Sequence, residues 1–285
     1  MQYELPLYFI IFLYGIVFGS FLNVLIYRLP LKENIATEHS HCMTCGAKIQ
    51  WYDLIPLVSY IILGGKCRHC KAKISPQYPI IEATNGIAYV IVFLVHGFNA
   101  VSILMCFAFS IFLVISVIDW RTFEIPFSLN VAIGVLAVIR IILDHKNLLD
   151  YLIGFCVISG FMLICLFIGR AIKGIDAFGG GDIKLMAFAG LFLGWKCIIL
   201  AFLIGCILGA VIHSIRMKVT DAEHVLAFGP YLCAGLTIAM LFGTNIINWY
   251  LSFMGFWLIC IFMQESFCLY RKNRKFIYIF ITRNH

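Results

Sequence analysis

The chain has 285 residues, of which 62% are hydrophobic and only 12% are charged, and its mean hydropathy is +0.98. A soluble domain carries about a quarter charged residues, so this composition excludes a soluble globular protein and indicates an all-α polytopic membrane protein. The formal net charge of +7 is typical of the Lys and Arg excess in cytoplasmic loops. No base-stacking motif or basic domain accompanies that charge, so we expect no nucleic-acid partner.

The first apolar run, residues 5–27, is uncharged and long enough to cross a hydrocarbon core of about 30 Å. The acidic residue Glu4 precedes it instead of a basic region, and no clear small-residue cleavage site follows. We therefore expect a retained transmembrane helix and not a removable signal peptide.

Further apolar runs follow, and together they predict a bundle of about 8–9 transmembrane helices. The candidate spans are residues 5–27, 79–96, 101–118, 128–143, 150–169, 185–194, 197–215, 227–243 and 249–264. The run 185–194 is short, because at about 1.5 Å per residue it covers only half of the hydrocarbon core. It is either a half-helix or a helix that borrows residues from the neighbouring polar breaks.

Basic residues fall in every second break along the chain, with Lys146 and Lys196 as minor exceptions. The positive-inside rule therefore predicts that the N-terminus lies outside and that loop 28–78 lies in the cytoplasm. The other breaks predicted on the cytoplasmic side are 119–127, 170–184 and 216–226.

This pattern divides the chain into four predicted regions. They are a first transmembrane helix (1–27), a cytoplasmic loop (28–78), a membrane-embedded core (79–251) and an extension with one more apolar run and a basic tail (252–285). Glycines four residues apart occur in several apolar runs, and such pairs favour close helix packing. The pairs are Gly15/Gly19, Gly190/Gly194 and Gly205/Gly209.

Most of the cysteines lie in apolar runs, where we interpret them as small hydrophobic residues. They are Cys106, Cys156, Cys165, Cys197, Cys206, Cys233 and Cys260.

Four other cysteines form two C-x-x-C pairs, Cys42/Cys45 and Cys67/Cys70, which are separated by 21 residues. Each pair can place two thiolates on one tetrahedral ion, so the spacing predicts a structural zinc site that folds the loop. Two disulfides are the alternative, and the reducing cytoplasm argues against them. A four-sulfur site is closed, which leaves no open position for catalysis.

Two aspartates stand at the predicted cytoplasmic ends of spans. Asp119 ends one apolar run, and Asp182 precedes another after three glycines, Gly179 to Gly181. If the bundle brings these carboxylates together, they share a proton, so that one activates water and the other polarises a peptide carbonyl. The alternative is a pair of interfacial acids in contact with Arg121 and Lys184.

Glu82, just inside a span, is a competing functional acid, because an intramembrane carboxylate needs a partner. Together with the two aspartates it leaves open a transporter or channel with a proton relay. We find no inverted internal repeat of the kind that would support that alternative. A zinc metalloprotease is a third reading, but no H-E-x-x-H motif occurs.

Five ordered motifs resemble those of the bacterial type IV prepilin peptidases. They are Gly19-Ser20-Phe21-Leu22-Asn23-Val24, the cysteine loop with Trp51-Tyr52-Asp53, Asp119 with Ile125-Pro126, Gly179-Gly180-Gly181-Asp182-Ile183-Lys184-Leu185, and Phe228-Gly229-Pro230-Tyr231-Leu232. The fourth is similar to the G-x-G-D motif that presenilin-like proteases share in outline. The resemblance covers roughly residues 11–251.

The resemblance implies a membrane aspartic endopeptidase that removes the short leader from prepilins and pseudopilins on the cytoplasmic side, after a glycine. It implies a bacterial inner-membrane location and, in many members, N-methylation of the new N-terminus with S-adenosylmethionine. Asp119 and Asp182 would be catalytic, and Cys42, Cys45, Cys67 and Cys70 would hold zinc. We also expect Gly179, Gly180 and Gly181 to leave room for an extended substrate backbone beside Asp182.

The chain departs from the family pattern at three places. Phe127 stands where Asp often follows Ile-Pro, Met43 stands where proline is common, and residues 252–285 extend past the usual end. The residue after Ile-Pro therefore cannot be required for the chemistry expected of this chain.

Overall fold

The computed structural model describes residues 5–35, 40–174, 178–220 and 227–281. Five stretches lie outside the described residues: 1–4 with Glu4, 36–39 in the predicted loop 28–78, 175–177 and 221–226 in two predicted cytoplasmic breaks, and 282–285 of the extension. Within the described ranges the fold is all-helical and contains no β-strand, with only two isolated β-bridges in the cysteine loop. The predicted fold class is confirmed.

Nine α-helices make up the described part of the chain. They are α1 (Leu5–Leu31), α2 (Val58–Ile62), α3 (Gln77–His96), α4 (Ala100–Thr122), α5 (Phe127–Leu143), α6 (Leu148–Lys173), α7 (Gly180–Leu193), α8 (Trp195–Thr220) and α9 (Gly229–Ile281). Short 3-10 turns occur at Trp51–Leu54 and His145–Asn147. Among these elements, six are long and apolar enough to cross a membrane: α1, α3, α4, α6, α8 and the first half of α9.

Judged by length and composition, fewer of these helices can cross a membrane than the 8–9 that we expected. The apolar helices α5 and α7 have only 17 and 14 residues, so each falls short of the ~20 residues that span a bilayer. α7 borrows residues from the glycine stretch, since it begins at Gly180 and not at the predicted residue 185. An acid in its first turn, Asp182, suits the positive end of the helix dipole.

The predicted separation of the runs 227–243 and 249–264 is wrong. A single helix, α9, runs through the uncharged break 244–248. The break contains no proline, and each of its Thr and Asn residues costs a helix less than about 1 kcal/mol. Such residues weaken a helix without ending it. The chain divides into two compact units, Met1–Leu241 and Phe242–His285.

Glycines bring α1 and α3 into close contact. A Cβ atom at Gly15 would lie 2.6 Å from the Cα of Gly86, and one at Gly19 would lie 2.7 Å from the Cα of Glu82. The side chain of Asn85 then donates to the carbonyl of Gly15 at 2.7 Å. This contact confirms the predicted role of the first glycine pair.

A second glycine contact joins α6 to α7. The Cβ positions of Gly154 and Gly190 are each filled by backbone atoms of the other helix. Gly194 has a different role from the predicted one, because it ends α7 with a φ of +84°, which favours glycine. A Cβ atom at Gly205 would lie 3.2 Å from the Cα of Leu232 in α9, a close contact of the kind that the third pair predicts.

We expect Gly154→Ala to lower the thermal midpoint of the purified protein. The added methyl group would overlap the backbone of α7, and overpacking of this kind costs about 1–3 kcal/mol. Gly160→Ala, on the same helix with open space at its Cβ position, is the matched control and should melt like the parent. Equal midpoints for the two variants would contradict the close α6–α7 contact.

Candidate active site and metal centre

Asp119 lies in the last turn of α4, and only 5% of its surface is exposed. The backbone N–H of Gly229, the first residue of α9, donates to Oδ2 of Asp119 at 2.9 Å. A Cβ atom at Gly229 would lie 2.7 Å from the same oxygen. Glycine is therefore the residue that lets the start of α9 approach this carboxylate.

Asp182 lies in the first turn of α7, directly after the glycine stretch. Its Oδ1 atom is buried and has no hydrogen-bond partner in the described part of the chain. Phe178, just before the glycines, packs its ring 6.2 Å from Phe202 of α8 and 6.0 Å from Phe228. These aromatic contacts fix the segment that leads into Asp182.

The structure brings the two aspartates, 63 positions apart, to one cavity of about 250 Å³. The cavity is lined by Asp119, Phe123, Glu124, Ile125, Gly179, Gly180, Gly181 and Asp182. Two carboxylates that face one small, partly buried space repel each other when both are charged, so they favour a shared proton. Such a pair can act as a base and an acid at once.

The three glycines form one wall of the cavity. Gly180 has no atom within 4 Å of its Cβ position, while a Cβ atom at Gly181 would lie 3.0 Å from the side chain of Ile125. At Gly179 the nearest atom is Oδ2 of Asp182, at 3.0 Å. Side chains at these positions would fill the space beside Asp182.

Neither basic residue weighed as a partner for the aspartates points to them. Arg121 stacks its guanidinium 4.9 Å from the ring centre of Tyr27 and donates to Gln77. Lys184 places its ammonium 5.2 Å from the ring centre of Phe127. Both cations therefore make cation–π contacts. These contacts do not support the alternative in which Arg121 and Lys184 form ion pairs with the two aspartates.

Glu82, the competing acid, lies away from the cavity. It is 6% exposed, and its Oε2 atom accepts a hydrogen bond from the backbone N–H of Leu57 at 2.9 Å. The backbone of the cysteine loop therefore supplies a partner for this carboxylate, and Glu82 is not among the residues that line the aspartate cavity.

The four cysteines of the loop form one cluster, in which all four sulfurs lie within 4.8 Å of one another. The Sγ atoms of Cys42 and Cys70 are 3.9 Å apart. Tetrahedral zinc with Zn–S bonds of about 2.3 Å requires sulfur separations of about 3.8 Å. The donor set and its geometry therefore fit zinc.

The two halves of the metal centre repeat one local structure. Cys42 N–H donates to Ala47 and Gly46 N–H to Cys42, while Cys67 N–H donates to Ala72 and Lys71 N–H to Cys67. The sequence repeats as well, since C-x-x-C-x-A-K-I occurs at 42–49 and at 67–74. The sequence analysis missed this repeat, which would have predicted two equivalent knuckles.

The thiols of the cluster have divergent acidities. Amide groups of Cys45 and Thr44 hydrogen-bond to Cys42 and lower its pKa to about 6. Against a lowering hydrogen bond from the Ala72 amide, desolvation and the three neighbouring sulfurs raise the pKa of Cys70 to about 11. Four thiolates at this distance thus need a cation among them.

An ion pair links the second knuckle to the 3-10 turn that lies between the knuckles. The guanidinium of Arg68 donates to both carboxylate oxygens of Asp53, with contacts of 2.6 and 2.9 Å, and lies 5.4 Å from the ring centre of Tyr52. The hydrogen bond from Arg68 lowers the pKa of Asp53. This pair fastens the 3-10 turn at Trp51–Leu54 to the second knuckle.

The sequence analysis also missed Gly229, which donates to Asp119, and Glu124, which lines the cavity. The signal for Gly229 was the motif Phe228-Gly229-Pro230, which was noted without a role. No pattern pointed to Glu124, an exposed acid in the loop between α4 and α5.

Two protein-family models match the sequence of this chain. The model for the bacterial peptidase A24 N-terminal domain matches residues 13–96, which include α1, the cysteine loop and α3. The model for the type IV leader peptidase family matches residues 106–214, which include both aspartates. No solved structure matches the chain.

Several relatives named prepilin leader peptidase/N-methyltransferase are similar over most of the chain. The one from Pseudomonas aeruginosa is 32% identical over 284 residues, which cover 88% of this chain and 96% of that protein. The one from Vibrio cholerae is 37% identical over 72% of this chain and 85% of its own length. The one from Legionella pneumophila is 29% identical, over 90% of this chain and 98% of its own length.

The matches cover the helices that carry the paired aspartates and the loop that carries the four cysteines. This multi-pass membrane protein therefore belongs to the type IV leader peptidase family.

Proposed function

We propose that this protein is an aspartic endopeptidase that cleaves the leader peptide of type IV prepilins or pseudopilins after a glycine. The observation that carries the proposal is the meeting of Asp119 and Asp182 at one cavity. The names of the similar proteins, prepilin leader peptidase/N-methyltransferase, agree with this activity. The bilayer is the second partner, and prepilins or pseudopilins are the substrates.

The surroundings of the two aspartates suggest a division of labour. Asp119 accepts a hydrogen bond from the Gly229 N–H. A carboxylate that accepts a hydrogen bond in its ionised form is suited to take a proton from the attacking water. Asp182 has a buried oxygen without a partner, where a protonated carboxyl group can donate to the scissile carbonyl. The shared proton keeps one acid and one base in place for each cycle.

The glycine wall suits a peptide substrate. A substrate backbone in extended form needs close access to the catalytic carboxylates, and Gly180 offers open space there. A glycine next to the scissile bond, the feature expected of prepilin leaders, would add no side chain to this 250 Å³ cavity. Gly179, Gly180 and Gly181 thus serve as substrate-approach residues in this proposal.

The orientation follows from the charge pattern. With the N-terminus outside, the cavity and the cysteine loop both face the cytoplasm of the inner membrane. We retain the division into regions 1–27, 28–78, 79–251 and 252–285 as part of the proposal, although the boundary of the two compact units lies between Leu241 and Phe242. The role of residues 252–285 is not assigned.

In this proposal Cys42, Cys45, Cys67 and Cys70 bind zinc. The bound ion folds the loop and takes no part in hydrolysis. N-methylation of the new N-terminus with S-adenosylmethionine is a separate part of the proposal, and it rests on the names of the relatives. The proton-relay alternative is not favoured, because Glu82 lies away from the aspartate cavity and bonds to Leu57.

Asp119→Asn and Asp182→Asn should each reduce cleavage of a co-expressed prepilin by about 10²–10⁴-fold or more, because each removes one half of the acid–base pair. Mass spectrometry of the pilin reports both cleavage and the added methyl group. Glu124→Gln is the matched control, since it removes a third carboxylate from the same cavity and should retain most of the rate.

Normal processing by either asparagine variant, in cells that lack another such peptidase, would overturn the proposed activity. A cleaved pilin with an unmodified amine would remove only the methyltransferase part.

Cys45→Ser should reduce bound zinc from about one ion per chain to a small fraction, because three sulfurs hold the ion far less tightly than four. The measurement is metal content after purification, with limited proteolysis of the loop as the second readout. Cys156→Ser, at an exposed position on α6, is the control and should leave the zinc content unchanged. Full zinc content in Cys45→Ser would contradict the four-sulfur site.

Gly229→Ala should lower kcat with little change in KM, because its methyl group would displace the Asp119 carboxylate. Gly180→Ala should show the opposite split, a raised KM with a nearly unchanged kcat, since its methyl group enters open space at the substrate wall. Steady-state cleavage of a prepilin peptide measures both. Parent-like kinetics in Gly229→Ala would show that the Gly229 contact does not position Asp119.

A further inference from the structure

The cysteine loop carries an apolar segment that its metal centre does not explain. Three of the five residues of α2 are large, apolar and exposed: Val58, Ile61 and Ile62. Ile61 and Ile62 expose 76% and 73% of their surface. Leu54 and Ile55, just before α2, are also exposed. An aqueous loop would leave this cluster in water, which is unfavourable.

The position of this segment is fixed by Glu82. Its carboxylate accepts the N–H of Leu57, the residue immediately before α2, at 2.9 Å. The Cα of Glu82 packs against Gly19 of α1. Gly19 lies about 12 Å along α1 from Tyr27, at 1.5 Å per residue. Along α3, Glu82 lies four residues, about 6 Å, from Tyr78, so it lies one to two helical turns inside the ends of α1 and α3.

A stacked aromatic pair marks the edge of that span. The rings of Tyr27 and Tyr78 are 5.6 Å apart, and tyrosines are enriched at the level of the lipid headgroups. A side chain on a helix leans toward the helix N-terminus, so the Glu82 carboxylate lies between the levels of Glu82 and Tyr78, one turn apart. Leu57, held by that carboxylate, is at or within the tyrosine level.

The backbone of the segment suits a setting without water. Hydrocarbon makes an unpaired N–H or C=O group cost several kcal/mol. Here Pro56 has no N–H group, and the N–H of Leu57 is satisfied by Glu82. The amides that donate to nearby carbonyls of the same loop are those of Val58, Ser59, Ile61, Leu63, Gly64 and Gly65.

Positive charge follows the apolar segment at once. Lys66 and Lys73 face each other across an antiparallel bridge and line a cavity of about 440 Å³ with Tyr60. Lysines at the rim of a membrane-inserted segment bind the phosphates of anionic lipids. This order, apolar residues first and lysines next, is complementary to the acyl and headgroup layers of one leaflet.

We propose that residues 54–63 form a re-entrant anchor, which inserts Ile61 and Ile62 into the acyl boundary of the leaflet on the cysteine-loop side. The anchor holds the zinc-binding knuckles at a fixed depth beside α3. Its occupant is lipid, and neither a second copy of the chain nor a protein partner covers this face. The inference does not depend on the proposed peptidase activity.

Nitroxide accessibility tests the anchor in the full-length, zinc-loaded protein. A genetically encoded ketone side chain at Ile61 carries the label in vesicles of phosphatidylethanolamine and phosphatidylglycerol. Collision with oxygen, relative to a water-soluble nickel chelate, should be severalfold higher than at Met43, which is exposed to the same extent (77%) but lies on the first knuckle. It should remain below the ratio at Val17, an exposed position in the middle of α1, because oxygen is enriched toward the centre of the bilayer.

A label at Ile62 repeats the measurement if the Ile61 variant loses its zinc. Preferential collision with the nickel chelate at position 61 or 62 would show a water-exposed loop and overturn the proposal. Low collision with both reagents would show protein packing on this face and overturn it equally. Prepilin cleavage is recorded separately, so a failed anchor leaves the peptidase proposal standing.

Discussion

The repulsion between two carboxylates at one small cavity is the constraint on which this site depends. Asp119 and Asp182 come from helices that are distant in the chain, and they share a cavity of about 250 Å³. Both cannot carry charge there without a large electrostatic cost. This closeness favours a shared proton, which is the state that the proposed aspartic hydrolysis requires.

Helix packing positions Asp119 and Asp182, and the close contacts between the helices depend on glycines, which have no side chain. The contact between Gly154 and Gly190 sets α7 against α6, and α7 is short enough for its first turn to lie at the cavity. Gly229 allows the start of α9 to donate to Asp119. A methyl group at Gly154 or Gly229 would overlap atoms of its neighbour, so we expect it to disturb the geometry that the site requires.

The sequence predicts much of this architecture for clear physical reasons. An uncharged run of about 20 residues leaves few options other than a membrane span, and two C-x-x-C pairs point to one tetrahedral ion. Glycines four apart, as at Gly15 and Gly19, predicted a contact that the structure confirms. These signals are local, so they survive without knowledge of the tertiary fold.

Other features are not local, and the sequence left them open or led to errors. Helix α9 continues through residues 244–248 because weak helix formers without proline do not stop a helix. The partner of Glu82 is a backbone amide of a distant loop, which has no sequence signature. The donor to Asp119 is likewise the amide of Gly229, and a backbone group cannot be read from residue type.

A small number of contacts also holds the cysteine loop in place. Glu82 of α3 accepts a hydrogen bond from the loop backbone, and the four sulfurs of the loop surround one candidate cation site. The proposed zinc site and the proposed membrane anchor lie in the same short chain segment, one at the knuckles and one at α2. Each restricts the loop where a hydrophobic core of its own is absent.

The central claim is that Asp119 and Asp182 act as one unit on a tetrahedral intermediate. The most direct measurement is the affinity of a prepilin peptide that carries a hydroxyl-bearing tetrahedral isostere at the scissile bond. The account predicts tight binding to the parent and a large loss of affinity in both Asp119→Asn and Asp182→Asn, while an uncleaved substrate peptide binds all three alike. Equal affinity of the isostere for the parent and both variants would contradict it.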